Sequence, residues 1–319
     1  MNSRRFKSAL ILCIAAGACS ARTTEDSAVR RGDEAFALGD FNEALAEYRL
    51  AVRQGDDDPA VTARVAHTYI MMDRVDDAGA YYLDATARDP GLKDQAVTDL
   101  MWLARGAQAT NDYFAMATAV ETALRLRPGI GVGDMSLPLA RHYFRSGQYG
   151  RALPFYQKAM GEAADSLPEI VLEVGRAHDE IGDCELALIF YERFRDMVPR
   201  WERGEVDWYI GTCAFKVARE LRDRSRSDDP GVAVDELEEA LRLIERTVTV
   251  GEPRNIQARA WFEKGEILVD MGECSAAMEA YAQVRYADQA GSLIDRAQDR
   301  FDEIRFGRGL EHLRDGRCR

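Results

Sequence analysis

Apolar residues recur every three to four positions along most of the chain from residue 25 onward. Polar and charged residues occupy the positions between them, and no strand-like alternation of any length interrupts the pattern. A spacing near 3.6 residues places apolar side chains on one face of an α-helix. The sequence therefore predicts an all-α protein built from amphipathic helices.

The helical pattern also repeats at a longer period. A small residue is followed by a turn residue seven positions later, by Ala five positions further and by an aromatic residue four beyond that. Small residues allow two helices to pack closely, and the aromatic ring fills the space beside the next hairpin. The clearest copies are Ala66, Asp73, Ala78 and Tyr82 in one repeat and Ala140, Gly147, Ala152 and Tyr156 in another.

These spacings resemble the tetratricopeptide repeat. The resemblance implies a superhelical solenoid of about seven helix-turn-helix repeats over residues 29–291, continuous rather than divided into two domains. A capping helix and tail over residues 292–319 would cover the last apolar face. The repeats are predicted to begin near residues 25, 59, 97, 133, 168, 204 and 258.

The sixth repeat is longer than the others. Its second helix, around Ala240 and Ile244, comes later than the repeat requires. The extra residues are charged and include Pro and Gly, which predicts an extended helix from Asp207 to about Arg224 and a surface insertion over about residues 219–234. Two interpretations stay open: a tolerated loop, or a loop that carries binding specificity.

The N-terminus has the features of an export signal. Arg4, Arg5 and Lys7 precede a short apolar stretch, and small residues lead to Cys19. This boundary resembles the bacterial lipobox, although Ala16 stands where Leu is usual. Residues 1–18 are therefore predicted as a lipoprotein signal peptide, with lipid on Cys19, and residues 19–28 as a tether. Cleavage without lipid is the alternative.

Ser20 follows the cysteine and resembles the outer-membrane sorting class of Gram-negative lipoproteins. The predicted location is the outer membrane, facing the periplasm and held by the lipid. A soluble periplasmic or secreted protein is the alternative.

The charge balance excludes one class of partner. The chain has 42 Lys and Arg against 55 Asp and Glu, for a formal net charge of −13. Loss of residues 1–18 removes three positive charges and no acidic group, which takes the charge to −16. Nucleic-acid binding needs a clustered positive field, so no nucleic-acid partner is predicted.

Four cysteines remain after the signal segment and Cys19: Cys184, Cys213, Cys274 and Cys318. An even number in an oxidising compartment suggests two disulfides. Cys184 and Cys213 fall on adjacent hairpins, and the tail with Cys318 could fold back towards Cys274, so we predict these two pairs. Buried free thiols are the alternative. No pair has the spacing of a metal site, so no metal is predicted.

The sequence contains none of the catalytic motifs sought. The four histidines do not form a zinc-hydrolase motif, and neither a nucleophile elbow nor a Walker loop occurs. The prediction is a non-enzymatic chain without a cofactor or a small-molecule substrate.

One row of arginines stands out as a candidate binding feature. Arg105, Arg141 and Arg176 follow the small residue of the first helix in three successive repeats, and Arg145 lies one turn beyond Arg141. In the resembling family the first helices line the concave surface, so this row would suit a peptide carboxylate or an acidic segment. Pairing of Arg176 with Glu173 or Glu180 is the alternative.

Aromatic side chains are predicted on the same surface, and Phe144, Trp208 and Phe215 are the candidates for partner binding. Their spacing is also typical of a helical core, and that alternative stays open.

The resemblance and the signal together predict a membrane-anchored adaptor that binds a protein or peptide partner in the cell envelope and assists assembly of an envelope complex. The alternatives are a pilotin-like factor for secretin and type IV pilus assembly, an outer-membrane β-barrel assembly component, or a peptidoglycan-enzyme adaptor.

The lipid prediction has a direct test in Cys19→Ala, because the thiol is the only attachment point that the signal offers. We expect this variant to move from the membrane fraction to the soluble periplasmic fraction, measured by fractionation and immunoblotting. Unchanged tight membrane association would contradict the lipid anchor.

Overall fold

The computed structural model describes residues 27–162, 167–226, 230–288 and 291–306 of the 319-residue chain. Residue contacts divide the chain into two compact units, residues 1–131 and 132–319. Every regular element within the described ranges is helical, which confirms the predicted all-α class. In the same ranges, no helix combines the length and the apolar character that crossing a bilayer requires. The signal segment and Cys19 lie outside the described residues.

The first unit consists of three helical hairpins, and the helices within each hairpin pack on one another. A short 3-10 turn, Pro90–Leu92, precedes the third hairpin. The hairpins are α1 (Ala28–Ala37) with α2 (Phe41–Arg53), α3 (Pro59–Met71) with α4 (Val75–Arg88), and α5 (Lys93–Ala109) with α6 (Tyr113–Leu126).

The second unit consists of four hairpins and one further helix. The last helix packs on α14 and buries Ala297 and Ile304, as a capping helix would. Its helices are α7 (Ser136–Arg145), α8 (Tyr149–Glu162), α9 (Pro168–Glu180), α10 (Cys184–Met197), α11 (Gly204–Ser225), α12 (Pro230–Val250), α13 (Gln257–Met271), α14 (Cys274–Ala287) and α15 (Ile294–Phe306).

Three of the hairpins turn at a left-handed residue followed by an aspartate: Gly39 with Asp40, Asn111 with Asp112, and Gly182 with Asp183. Gly182 has a φ of 86°, and Asp183 accepts a hydrogen bond from the Leu186 amide at 3.1 Å. The left-handed residue ends the first helix, and the carboxylate caps the second. In the third hairpin Asn111 is the left-handed residue that ends the first helix. Its φ is 59°, a conformation that a short polar side chain tolerates.

Close packing inside the hairpins depends on the small residue of the repeat. A Cβ at Gly175 would lie 2.7 Å from the ring of Tyr191, sixteen residues later and fully buried. The same offset separates Gly32 from Tyr48 and Gly265 from Tyr281, with Cβ approaches of 2.6 Å. The ring thus rests against the backbone of the facing helix.

The structure corrects the predicted surface insertion over about residues 219–234. The extended helix predicted to about Arg224 is present as α11, which ends at Ser225, but residues 230–234 are helical too and begin α12. The extra residues therefore lengthen two helices, to 22 and 21 residues. The helical spacing of buried Val217, Ala218 and Leu221 continues to the end of α11. The charged composition suggested a surface loop, but one of the charged side chains, Arg222, is buried.

That buried charge is Arg222. Its guanidinium donates to Glu263 at 2.8 Å, Glu266 at 2.9 Å and Asp270 at 2.7 Å, all on α13. Burial opposes the charge, but the three carboxylates outweigh it and raise the pKa of Arg222. Arg222 therefore fixes α11 against α13, and the extended helix is part of the folded unit.

A disulfide joins Cys184 at the start of α10 to Cys213 in α11, with their Cα atoms 5.1 Å apart. This is the first of the two predicted pairs. Cys318 lies outside the described residues, so the pairing of Cys274 with Cys318 stays a prediction. Because the bond closes a loop between adjacent hairpins, it restricts the unfolded chain and stabilises the second unit.

Replacing both Cys184 and Cys213 by Ala should lower the free energy of unfolding by about 2–5 kcal/mol, the usual cost of losing a native disulfide. Denaturant unfolding without reductant measures the change. Wild-type protein in reductant is the control and should shift towards the double variant. Equal stability of both proteins under oxidising conditions would contradict the stabilising role.

Gly175→Ala should lower the free energy of unfolding. Overpacking against Tyr191 costs about 1–3 kcal/mol, and the higher helix propensity of Ala offsets part of that cost. Gly106→Ala is the matched control, since Gly106 also lies in a helix but no atom would lie within 4 Å of the new Cβ. That change should stabilise by about 0.5–1 kcal/mol. Thermal unfolding distinguishes the two, and shifts of the same sign would contradict the packing argument.

Candidate functional site

One turn of α7 places three candidate residues on the same face. Arg141, Phe144 and Arg145 are three and four positions apart, the spacing at which helical side chains lie side by side. Together with Tyr156 of α8 and two residues of α9, Glu173 and Arg176, they line an open pocket of about 290 Å³. The structure therefore brings three of the four predicted arginines together, and we call this site the first pocket.

Arg141 is neutralised inside the first pocket. Its Nε lies 3.0 Å from both carboxylate oxygens of Glu173, and the hydrogen bond raises the pKa of Arg141 above its ordinary value. The Tyr156 hydroxyl is buried and has no hydrogen bond of standard geometry to any described residue. Burial raises the pKa of Tyr156, and the nearby Glu173 carboxylate raises it further.

Arg176 contacts aromatic rings instead of acids. Its guanidinium lies over the ring of Phe144, 5.5 Å from the centroid, and over the ring of Tyr209, 5.8 Å from the centroid. Burial raises the pKa of Tyr209, and the positive charge of Arg176 opposes that rise. Glu173, one of its two possible sequence partners, binds Arg141.

The first pocket carries an excess of positive charge. Within the described ranges, neither Arg145 nor Arg176 has a carboxylate within ion-pair distance, and Glu173 balances only Arg141. Contact with an aromatic ring does not neutralise a guanidinium as an ion pair does, so the N–H groups of Arg176 can still donate to a carboxylate. The arrangement can therefore bind an anion without rearranging an internal ion pair.

A second pocket lies around Phe215, between α11 and the start of α13. Its volume is about 400 Å³. Arg219 and Arg259 both lie over the Phe215 ring, each 5.9 Å from the centroid. Lys216 is exposed beside them, while two acidic residues, Glu220 and Asp223, also line the pocket.

The remaining candidates have varied surroundings. Trp208 is 46% exposed and meets the edge of Tyr209 on α11, whereas Phe144 and Phe215 are half-buried. Arg105 is exposed on α5 in the first unit, and its place in a row with the other arginines stays a prediction.

Sequence reasoning missed the aromatic and basic partners that different helices supply. Tyr209, Arg219 and Arg259 belong to two helices, α11 and α13, and share no row position with Arg141 and Arg176. The basic run of Lys216 and Arg219 beside an aromatic residue was the available signal.

The described part of the chain contains one group of side chains with metal-binding geometry, formed by Asp179, Cys184 and Cys213. Both sulfurs are already joined in the disulfide, so they are not free to act as thiolate ligands.

Residues 29–93, which comprise the first two hairpins, match the profile of the tetratricopeptide repeat family. No curated protein sequence matches the chain. Solved structures give low identities and TM-scores below 0.5, so the fold description rests on the helices themselves.

Three of these structures cover most of this chain. The C-terminal part of a TPR repeat-containing protein from Cytophaga hutchinsonii is 15% identical, covers 85% of this chain and 98% of that one, and has a TM-score of 0.34. The P58(IPK) TPR domain is 14% identical, with coverages of 86% and 98% and a TM-score of 0.32. PilW, described as a widely conserved type IV pilus biogenesis factor, is 16% identical, with coverages of 76% and 99% and a TM-score of 0.30. The profile match and the recurring hairpins together support the tetratricopeptide repeat as the building unit of this chain.

Proposed function

We propose that this chain is a non-enzymatic scaffold that binds an acidic segment of a partner protein through its second unit. The observation that carries the proposal is the pair Arg145 and Arg176, which lacks carboxylate partners among the described residues of a chain with net charge −13. Arg176 is half-buried and lies against two half-buried rings, Phe144 and Tyr209, and a partly desolvated guanidinium gains more from a carboxylate than an exposed one does.

The negative charge of the rest of the chain increases the selectivity of the first pocket for an acidic partner. Acidic residues outnumber basic ones overall, so an acidic partner is repelled by most of the surface and attracted at the first pocket. This contrast favours one binding mode and penalises others, which is how electrostatic complementarity gives specificity.

The proposed location follows from the N-terminal sequence. A lipid on Cys19 would hold the chain at the outer membrane, facing the periplasm, and the ten residues of the 19–28 tether span at most about 35 Å. The partner would then be a protein of the cell envelope, and the scaffold would keep it close to the membrane while a complex assembles.

Charge reversal of the two unpaired arginines tests this proposal. In living cells, crosslinking followed by affinity purification and mass spectrometry should recover a specific partner with the wild-type protein and lose it with Arg145→Glu plus Arg176→Glu. Arg141 is left unchanged, because its removal would leave Glu173 without its ion-pair partner. Arg200→Glu is the matched control, since Arg200 is exposed and lines neither pocket.

Arg145→Glu alone separates binding from folding, because Arg145 is exposed and its replacement removes no packing. It should weaken partner recovery while the thermal unfolding midpoint stays within about 2 °C of wild type, as surface substitutions usually do. Equal recovery of the partner with all variants would contradict the proposed site. Recovery of cell-wall material without a protein partner would contradict the scaffold function.

A further inference from the structure

The first helices of the second unit lie in chain order, and side chains connect each to the next. Phe144 of α7 contacts Arg176 of α9, which contacts Tyr209 of α11. Phe215, further along α11, contacts Arg259 of α13. The first and second pockets therefore lie on one succession of helices within a single unit.

Both pockets have the same construction. In each, a guanidinium group lies over an aromatic ring, with its central carbon 5.5–5.9 Å from the ring centroid: Arg176 over Phe144 and Tyr209, and Arg219 and Arg259 over Phe215. Within the described ranges no carboxylate lies within ion-pair distance of Arg219 or Arg259. Glu220 and Asp223 also line the second pocket, but with Lys216 its basic residues still outnumber its acidic ones by three to two. Each pocket therefore offers guanidinium N–H donors to an acidic ligand.

The distance between the pockets follows from helix packing. The first pocket lies between α7 and α9, and the second lies between α11 and α13, two helix positions further. A helix with its side chains is about 10–12 Å wide, so two steps from one first helix to the next separate the pockets by about 20 Å. An extended peptide rises about 3.3 Å per residue and covers this distance with about six residues.

An exposed aromatic side chain stands on α11, the helix whose Tyr209 contacts Arg176 and whose Phe215 lines the second pocket. Trp208 on α11 is 46% exposed, and its ring meets the edge of Tyr209, which borders Arg176. An exposed tryptophan that is held in place by a neighbouring ring is a suitable contact for an apolar side chain in the middle of a bound segment.

We infer that the two pockets bind one extended segment of the partner, with two acidic groups about six residues apart and an apolar residue between them. This inference rests on the proposed function and specifies the ligand of its site. Arg176 and Arg145 bind the first acidic group, Arg219 and Arg259 bind the second, and Trp208 contacts the apolar residue.

Two synthetic peptides of identical composition test the inference. Both have blocked termini, two Glu pairs, one Leu and a Gly-Ser background, so neither offers a terminal carboxylate. In the spaced peptide the pairs are six residues apart with the Leu between them, and in the compact peptide the pairs are adjacent. Fluorescence anisotropy of the labelled peptides on the full chain measures affinity.

We expect the spaced peptide to bind at least about tenfold more tightly than the compact one, because the second contact becomes intramolecular once the first has formed. Arg176→Glu and Arg219→Glu should each remove this preference, and Arg200→Glu should keep it. A higher salt concentration should weaken the binding of the spaced peptide to the wild-type protein, because salt screens charge-assisted contacts.

Equal affinity of the two peptides, no binding of either peptide, or an unchanged preference in Arg219→Glu would each overturn the inference. The proposed function fails separately. If the cellular partner is lost in Arg145→Glu plus Arg176→Glu but retained in Arg219→Glu, the first pocket alone binds the partner and only the two-pocket inference falls.

Discussion

The packing of a tyrosine ring against the small residue of the facing helix is the constraint on which five of the hairpins depend, those with Tyr48, Tyr82, Tyr156, Tyr191 and Tyr281. Gly175 and Gly265 have no side chain where the rings of Tyr191 and Tyr281 lie. Where alanine takes the small position, as at Ala66 and Ala140, Tyr82 and Tyr156 are still fully buried. The depth of this contact sets the distance between two helices, and with it the positions of all side chains on the surface that the first helices form.

The same tyrosines place charge on that surface. The Tyr281 hydroxyl donates to Glu266 at 2.6 Å, and Arg300 donates to the same carboxylate at 2.7 Å. In the first unit, Tyr48 donates to Asp33, which also pairs with Arg64. A buried hydroxyl needs an acceptor, the acceptor carries a negative charge, and the charge attracts a cation. At the first pocket Glu173 pairs with Arg141, and among the described residues no carboxylate lies within ion-pair distance of Arg145 or Arg176.

The sequence predicts the features that depend on local spacing within a hairpin. It misses the side-chain contacts that form between different hairpins. The turn positions and the pairing of small and aromatic residues are local, and so is the shared face of Arg141 and Arg145. Contacts such as Arg176 on Tyr209 and Arg259 on Phe215 join different hairpins, and no period in the sequence encodes them. The extended α11 follows from the helical spacing, but the early start of α12 at residues 230–234 does not. The ion pairs of Arg222 have no local signal either, because its three acceptors follow more than forty residues later.

The disulfide between Cys184 and Cys213 also determines how the chain responds to mechanical force. Sequence separation between the two cysteines is 29 residues, and the bond spans the second helix of one hairpin and the start of the next. When a chain is pulled from its ends, residues enclosed by a covalent crosslink do not extend. The bond therefore shortens the fully extended chain by about 100 Å, at about 3.5 Å per enclosed residue. The enclosed segment is α10 with the first half of α11, so Tyr209, one of the two rings against Arg176, lies in a part of the second unit that tension does not extend.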